Sequence, residues 1–190
     1  MAVRRELMLI LALVIVIAVL VKVVEFFRAD VVEADASKFV LEDLRSRYPN
    51  AEIGIMTITP KNNPSGERYF EVKAKVTKYA ESACPERSHI FYNYPAQNFV
   101  AQPAEVITSG CQVCTEGICT IAFPEEAIIA SHTLLGTEEV ERFIQYNDDA
   151  EPSVYEKEDS WTVKWDSLSG YVIVNLHRNG SILGVESNPP

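Results

Sequence analysis

The stretch Phe70-Glu71-Val72-Lys73-Ala74-Lys75-Val76-Thr77 decides the fold class. Apolar residues at 70, 72, 74 and 76 alternate with charged or hydroxylated residues at 71, 73, 75 and 77. That is the period of a strand with one face buried and the other wet. Upstream, Ile53–Ile58 is an apolar run that reads as a mostly buried strand, and Lys61-Asn62-Asn63-Pro64-Ser65-Gly66 supplies the turn between the two. Downstream, a loop holding Cys84-Pro85 leads into Ser88–Tyr94, with Ile90, Tyr92 and Tyr94 on one face and His89 and Phe91 on the other. Glu105–Thr108 adds a short strand.

A helix precedes this meander. Val32, Ala36, Val40 and Leu44 recur at i+4 spacing with Phe39 beside them, while Glu33, Lys38, Glu42, Asp43 and Arg45 are charged. The pattern is that of an amphipathic helix laid on an apolar surface. Asp30 with Glu33 three residues on forms a capping pair, and Pro49-Asn50 stops the helix. The second half repeats the plan. Val140, Phe143 and Ile144 define a helix over Thr137–Tyr146, stopped by Asp148-Asp149-Ala150-Glu151-Pro152. Val154-Tyr155 opens a strand, Trp161, Val163 and Trp165 alternate along another, and Tyr171–His177 follows a turn at Asp166–Gly170. Asn179-Gly180 predicts a two-residue type I′ hairpin that sets Leu176 opposite Leu183 and Val174 opposite Val185. Asp30–Tyr94 and Thr137–Glu186 thus read as two α-β-β-β units in which a helix covers one face of an antiparallel sheet.

At the N-terminus the pattern changes. Every residue from Leu7 to Val21 is apolar, and the run resumes with Val23, Val24, Phe26 and Phe27 after Lys22. The 21 positions from Leu7 to Phe27 make about 31 Å of helix, enough for a hydrocarbon core. The expectation is therefore a transmembrane signal anchor over 1–29, in contact with the lipid bilayer through Leu7–Phe27. Arg4 and Arg5 precede the run, which predicts a single pass through the cell membrane with the N-terminus cytoplasmic and the C-terminal domain extracytoplasmic. The expected fold class is α+β: an N-terminal transmembrane helix, then helix-on-antiparallel-meander units. The expected divisions are 1–29 (anchor), 30–109 (first α+β unit), 110–130 (Cys-containing connector) and 131–190 (second α+β unit).

The 190 residues carry a formal charge of -10. Residues 1–29 hold a net of +2, so the remainder carries -12. A surface of that sign is repelled by phosphate backbones, which excludes nucleic acid as a partner class.

Trp161-Thr162-Val163-Lys164-Trp165, then Ser169-Gly170-Tyr171-Val172-Ile173-Val174-Asn175, then Asn179-Gly180-Ser181-Ile182-Leu183 resembles the PepSY domain and the wider cystatin-like group. In those domains an aromatic-rich strand is followed by a second strand and a Gly-containing turn before a short apolar strand. The resemblance covers about 50 residues of the C-terminal half. It implies a non-enzymatic, extracytoplasmic module, built here as a tandem α-β-β-β repeat.

Cys84, Cys111, Cys114 and Cys119 fall within one 36-residue window. Two disulfides are one reading, with Cys84 bonded into the Cys111–Cys119 segment. A zinc site of all four thiolates is a second, on the knuckle spacing of Cys111-x-x-Cys114. A redox-active Cys111-Gln112-Val113-Cys114 is a third. His89, His132 and His177 are scattered, and Ser88 and Ser131 each precede a histidine on the chain without facing it. Asp148, Asp149 and Glu151 lack the spaced oxygens of a calcium loop. Asn179-Gly180-Ser181 is a formal N-glycosylation acceptor. Trp161 with Trp165, and Tyr92 with Tyr94, share strand faces and read as packing.

No catalytic residue, cofactor-binding motif or enzyme signature emerges. The reading is a membrane-anchored extracytoplasmic non-catalytic binding or assembly module, part of a cell-envelope complex with a protein partner in the membrane or envelope. The alternatives are a pilin-like surface-filament subunit and a thiol–disulfide redox protein. No cofactor is expected, with zinc on the cysteines as the alternative.

Overall fold

A computed structural model of the chain describes residues 13–20, 32–97, 102–115 and 119–188. From Glu33 on, these form one compact unit built from two antiparallel sheets and three helices. The first sheet has the order β1 (Glu52–Asn62), β2 (Arg68–Lys78), β3 (Glu86–Tyr94) and β4 (Glu105–Val106). The second has β5 (Glu151–Glu156), β6 (Ser160–Ser167), β7 (Gly170–His177) and β8 (Ile182–Asn188). Helix α1 (Glu33–Arg47) precedes the first sheet, and α2 (Pro124–Thr133) and α3 (Glu138–Tyr146) lie between the two.

The anchored fold and the single-pass placement expected from the N-terminal run are corrected. Among the described residues, no helix is long and apolar enough to cross a membrane. Residues 13–20 are helical. The rest of Leu7–Phe27, and the expected cap at Asp30, lie outside the described residues. The fold that is described is α+β, with two four-stranded antiparallel sheets.

In the first sheet, α1 buries Ala36, Val40 and Leu44 against Phe70, Val72, Ala74 and Val76 of β2. Three members of the i+4 stripe thus meet the period-2 stripe face to face, while its first, Val32, precedes the helix and is 47% exposed. Asp43 fixes the far end of the helix by accepting a hydrogen bond from Tyr92 Oη at 2.6 Å, with Arg47 bonded to both. β1 is an edge strand with a bulge between Ile55 and Thr57, so it is half-exposed rather than mostly buried. In β3, Ser88 and Ile90 stand opposite Val76 and Ala74 and share the helix face. Arg87 and His89 stand opposite Thr77 and Lys75, on the other face, where they are almost fully buried.

The second sheet is covered by α2 and α3. Its core is Val163, Val172, Val174 and Leu176 with Trp161 and Trp165, joined by Ile121, Ile128 and Val140. Both indoles reach an acceptor: Trp161 Nε1–H donates to the Ile121 carbonyl and Trp165 Nε1–H to Ser131 Oγ, each at 3.0 Å. A buried side chain of this size is worth roughly 3–5 kcal/mol against Ala. Helix α2 was absent from the sequence reading. Pro124 sits in its first turn, and Glu126 closes its start by accepting from the backbone N–H groups of Ala122 (2.7 Å) and Phe123 (2.9 Å).

The hairpin at Asn179-Gly180 also differs from expectation. Gly180 N–H donates to the His177 carbonyl, and His177 N–H to the Ser181 carbonyl. The loop therefore has three residues, with Gly180 (φ +84°) in the left-handed position of a bulged turn. A register shift between Asn175 and Leu176 follows, so Val174 faces Val185 but Leu176 faces Ile182, and Leu183 is 60% exposed. The glycine is also required by space, because a Cβ there would lie 2.6 Å from Cys119 Sγ.

Candidate functional site

Three loops border an open cleft of about 1090 Å³ between the two sheets. They are the α1–β1 loop (Arg47–Glu52), the β2–β3 loop (Lys78–Ala83) and the α3–β5 segment (Asn147–Glu151), with Ile144 behind them. Each is the sequel of a helix stop or a hairpin turn, so the cleft is set by where the helices end relative to their sheets. Its charged lining is unequal: Glu52, Glu81, Asp148, Asp149 and Glu151 against Arg47 and Lys78. Both cations already have anionic neighbours, Arg47 on Asp43 and Lys78 at 3.6 Å from Glu86, and among the acids Glu52 is paired with Lys75 at 2.6 Å. Asp149 accepts the Leu168 N–H at 2.8 Å, which holds its carboxyl below the usual range. The sequence-predicted acids Asp148, Asp149 and Glu151 are therefore exposed cleft lining. Tyr79 stands at the edge, 66% exposed and with φ +54°. Left-handed backbone is uncommon for a bulky residue. Here Ser82 locks it, its N–H and Oγ both bonding the Tyr79 carbonyl, at 2.9 and 2.8 Å.

Beneath the first sheet runs a polar chain that is buried except at Glu105. Glu105 Oε2 lies 3.0 Å from His89 Nδ1, and Arg87 Nε–H donates to His89 Nε2 at 3.0 Å. Arg87 Nη1 reaches Glu125 Oε2 at 2.8 Å, and Thr77 Oγ1–H donates to Glu125 Oε1 at 2.7 Å. The Arg87 guanidinium lies 3.8 Å over the Phe123 ring. Because an arginine N–H only donates, His89 Nε2 accepts and Nδ1 carries the hydrogen that goes to Glu105. Burial holds the His89 imidazole below its ordinary pKa, so it is the neutral form that fits here. Burial pushes the Glu125 carboxyl up, but its bonds from Arg87 and Thr77 outweigh that and hold it below the usual range. His89 is thus a positioning group for Arg87, and the Arg87–Glu125 pair ties the first sheet to α2. Residue-type patterning missed this chain because its carboxylates, Glu105 and Glu125, lie 16 and 38 residues from His89 and Arg87 in sequence.

The four cysteines form two disulfides, Cys84–Cys111 and Cys114–Cys119. The first spans 27 residues and joins the β2–β3 loop to the segment after β4. The second closes a loop of five and packs against the β7–β8 turn at Gly180. Cys114 is bonded to Cys119, so the Cys111-x-x-Cys114 spacing does not constitute a redox pair. His132, in the last turn of α2, places Nε2 3.5 Å from Cys111 Sγ and Nδ1 3.0 Å from the Ile128 carbonyl. Burial holds its pKa below the ordinary value. Ser131 beside it is fully buried and donates to the Ile128 carbonyl. His177 lies at the hairpin, its Nδ1 accepting from Asn179 N–H. Asn179 is exposed, with Oδ1 accepting from Ser181 N–H as part of the turn. Tyr92 and Tyr94 pack on Phe39 of α1.

No protein-family model matches the chain, and no curated protein matches it significantly. Among solved structures, one match is a Clostridium difficile 630 protein provisionally described as a lipoprotein. It is 10% identical, with 78% of this chain and 90% of that one covered, at a TM-score of 0.22. At that score the likeness carries no argument about fold or function.

Proposed function

We propose that the chain is a non-catalytic binding module that seats a basic segment of a protein partner in the cleft between its two sheets, in an oxidising compartment. The observation that carries this reading is the cleft itself: about 1090 Å³, above the roughly 300–1,000 Å³ of small-molecule pockets, with five carboxylates against two cations. A lining of that sign favours Lys- or Arg-bearing partners and speeds their encounter. Tyr79 at the edge, and Tyr48 within, supply the aromatic contact area typical of protein-binding surfaces. Two disulfides support the oxidising compartment. The non-catalytic reading is supported by the lining: among its described residues the serine hydroxyl, Ser82 Oγ, donates to the Tyr79 carbonyl, and no histidine stands beside it. Photo-cross-linking in the native cell tests the proposal, with the photoreactive residue at position 79 or 148 and, as control, at Leu135, which is 94% exposed and outside the cleft lining. The reading expects one discrete adduct from 79 and 148 and none from 135. Equal labelling from all three positions would sink it.

A further inference from the structure

Three side chains with metal-binding atoms, from separate parts of the chain, meet at one corner of the fold. They are Cys84 after β2, Cys111 in the segment after β4, and His132 in the last turn of α2. Their ligand atoms all lie within 4.8 Å of one another, and each residue is half-buried. Cys111 Sγ and His132 Nε2 are 3.5 Å apart. A sulfur and a nitrogen on one tetrahedral Zn²⁺, at about 2.3 and 2.0 Å from it, stand about 3.5 Å apart. That pair already has the spacing of two ligands on one ion.

The imidazole is also held in the tautomer a metal needs. A carbonyl oxygen only accepts, so the contact with Ile128 puts the hydrogen on Nδ1 and leaves the lone pair on Nε2, facing the sulfurs. A ring N–H given to a backbone carbonyl is the usual outer support of a metal-binding histidine. Trp165 fixes the ring plane further, edge-on at 5.7 Å. A disulfide sulfur has no proton to offer that lone pair, so the contact is not a hydrogen bond while the Cys84–Cys111 bond is closed.

We propose that Cys84, Cys111 and His132 form a redox-gated Zn²⁺ site, open to metal only when their disulfide is reduced. The reductant is a dithiol. Its two thiols become a disulfide, and the Cys84–Cys111 bond takes up two electrons and two protons to give two thiols. Zn²⁺ then displaces both thiol protons and binds two thiolates and Nε2, with its fourth position left to water. Oxidation by a disulfide compound removes two electrons, re-forms the Cys84–Cys111 bond and releases the ion. Cys114 and Cys119 take no part, since they are bonded to each other. The inference stands independently of what the cleft binds.

The test uses the full chain, in mild detergent because of its apolar N-terminal run, reduced with dithiothreitol, freed of reductant under anaerobic conditions and titrated with Co²⁺. The expected result is one Co²⁺ per chain with a thiolate charge-transfer band and the intense visible bands of tetrahedral coordination. Zn²⁺ should displace it, and zinc binding to the reduced apoprotein should release two protons. The unreduced protein should bind none, and Cys114→Ser with Cys119→Ser should bind as the unaltered chain does. His132→Gln, which keeps an N–H donor near Ile128, should weaken binding at least tenfold. His132→Cys should restore it, which separates loss of a ligand from loss of the fold. Absent binding, an octahedral spectrum, binding untouched by His132→Gln, loss in both His132 variants alike, or loss on removing Cys114 and Cys119 would each overturn the proposal.

Discussion

Replacing Glu125 by Ala tests how the two sheets are held together. Its carboxylate accepts from Arg87 Nη1 at 2.8 Å and from Thr77 Oγ1 at 2.7 Å, and the Arg87 and Glu125 side chains are only 5% and 6% exposed. Removing the carboxylate leaves a guanidinium that cannot lose its proton, buried on Phe123 with His89 as its remaining strong partner. Breaking a buried pair in this way costs about 3–5 kcal/mol, more than any hydrogen bond taken alone. In a domain of this size each kcal/mol moves Tm by about 2–4 °C, so a fall on the order of 10 °C is expected. Urea unfolding of Glu125→Ala, Arg87→Leu and the double variant closes the cycle. The double variant should lose clearly less than the sum of the singles, because an apolar pair has no unpaired charge to bury. A cost under about 1 kcal/mol for Glu125→Ala, or strict additivity, would refute the view that this pair joins the sheets.

Acid should destabilise the protein in two stages. His89 is held below its ordinary value, so as pH falls below about 6.5 the unfolded chain takes up the proton first and stability drops; His89→Gln removes that share of the slope in urea titrations at pH 7 and 5.5. Glu125 is also held low, so its contribution is complete above about 4.3 and is lost as pH falls through its folded value, a step that Glu125→Gln abolishes. Gly180→Ala places a Cβ 2.6 Å from Cys119 Sγ on a backbone at φ +84°, and should cost about 1–3 kcal/mol by thermal melting, against almost nothing for Gly66→Ala at the exposed β1–β2 turn beyond its own φ penalty of about 1 kcal/mol. Of the two disulfides, replacing Cys84 and Cys111 by Ser should cost about 3.5 kcal/mol, and Cys114 with Cys119 about 2 kcal/mol, because the loops closed are 27 and five residues. Equal losses in the two double variants would show that loop closure is not what sets the difference.

What was legible in the sequence was local period. The alternation from Phe70 to Thr77 and from Trp161 to Trp165 places the residues that the structure buries, as does the i+4 stripe of Ala36, Val40 and Leu44. Helix α2 was not legible, because Ala127, Ile128, Ile129 and Ala130 are consecutive and all buried. A helix covered on every side has no polar face, so its sequence shows no period. The hairpin was half legible. Asn179-Gly180 marks the turn, but the closeness of Gly180 to Cys119 and the shift at Asn175 belong to tertiary packing. The Arg87–Glu125 pair spans 38 residues and Thr77–Glu125 spans 48, separations that no local rule encodes. The face of β2 that carries Thr77 and Lys75 read as wet, which hid the burial of Arg87 and His89 beside it. At the N-terminus, apolar length alone prompted a membrane span that the described residues do not supply.

The central claim is that the cleft between the sheets is the binding surface, and affinity for the partner recovered by cross-linking at position 79 tests it most directly. Calorimetry would compare the unaltered chain with Tyr79→Ala and with Asp148→Lys/Glu151→Lys, each checked for an unchanged melt, and with Tyr155→Ala, another exposed tyrosine, outside the cleft lining. The account expects Tyr79→Ala to weaken binding by about tenfold or more, the value of a buried interface aromatic, and the charge reversal to do the same with a loss of salt dependence. Tyr155→Ala should bind as the unaltered chain does. Undiminished affinity in both cleft variants would contradict the account.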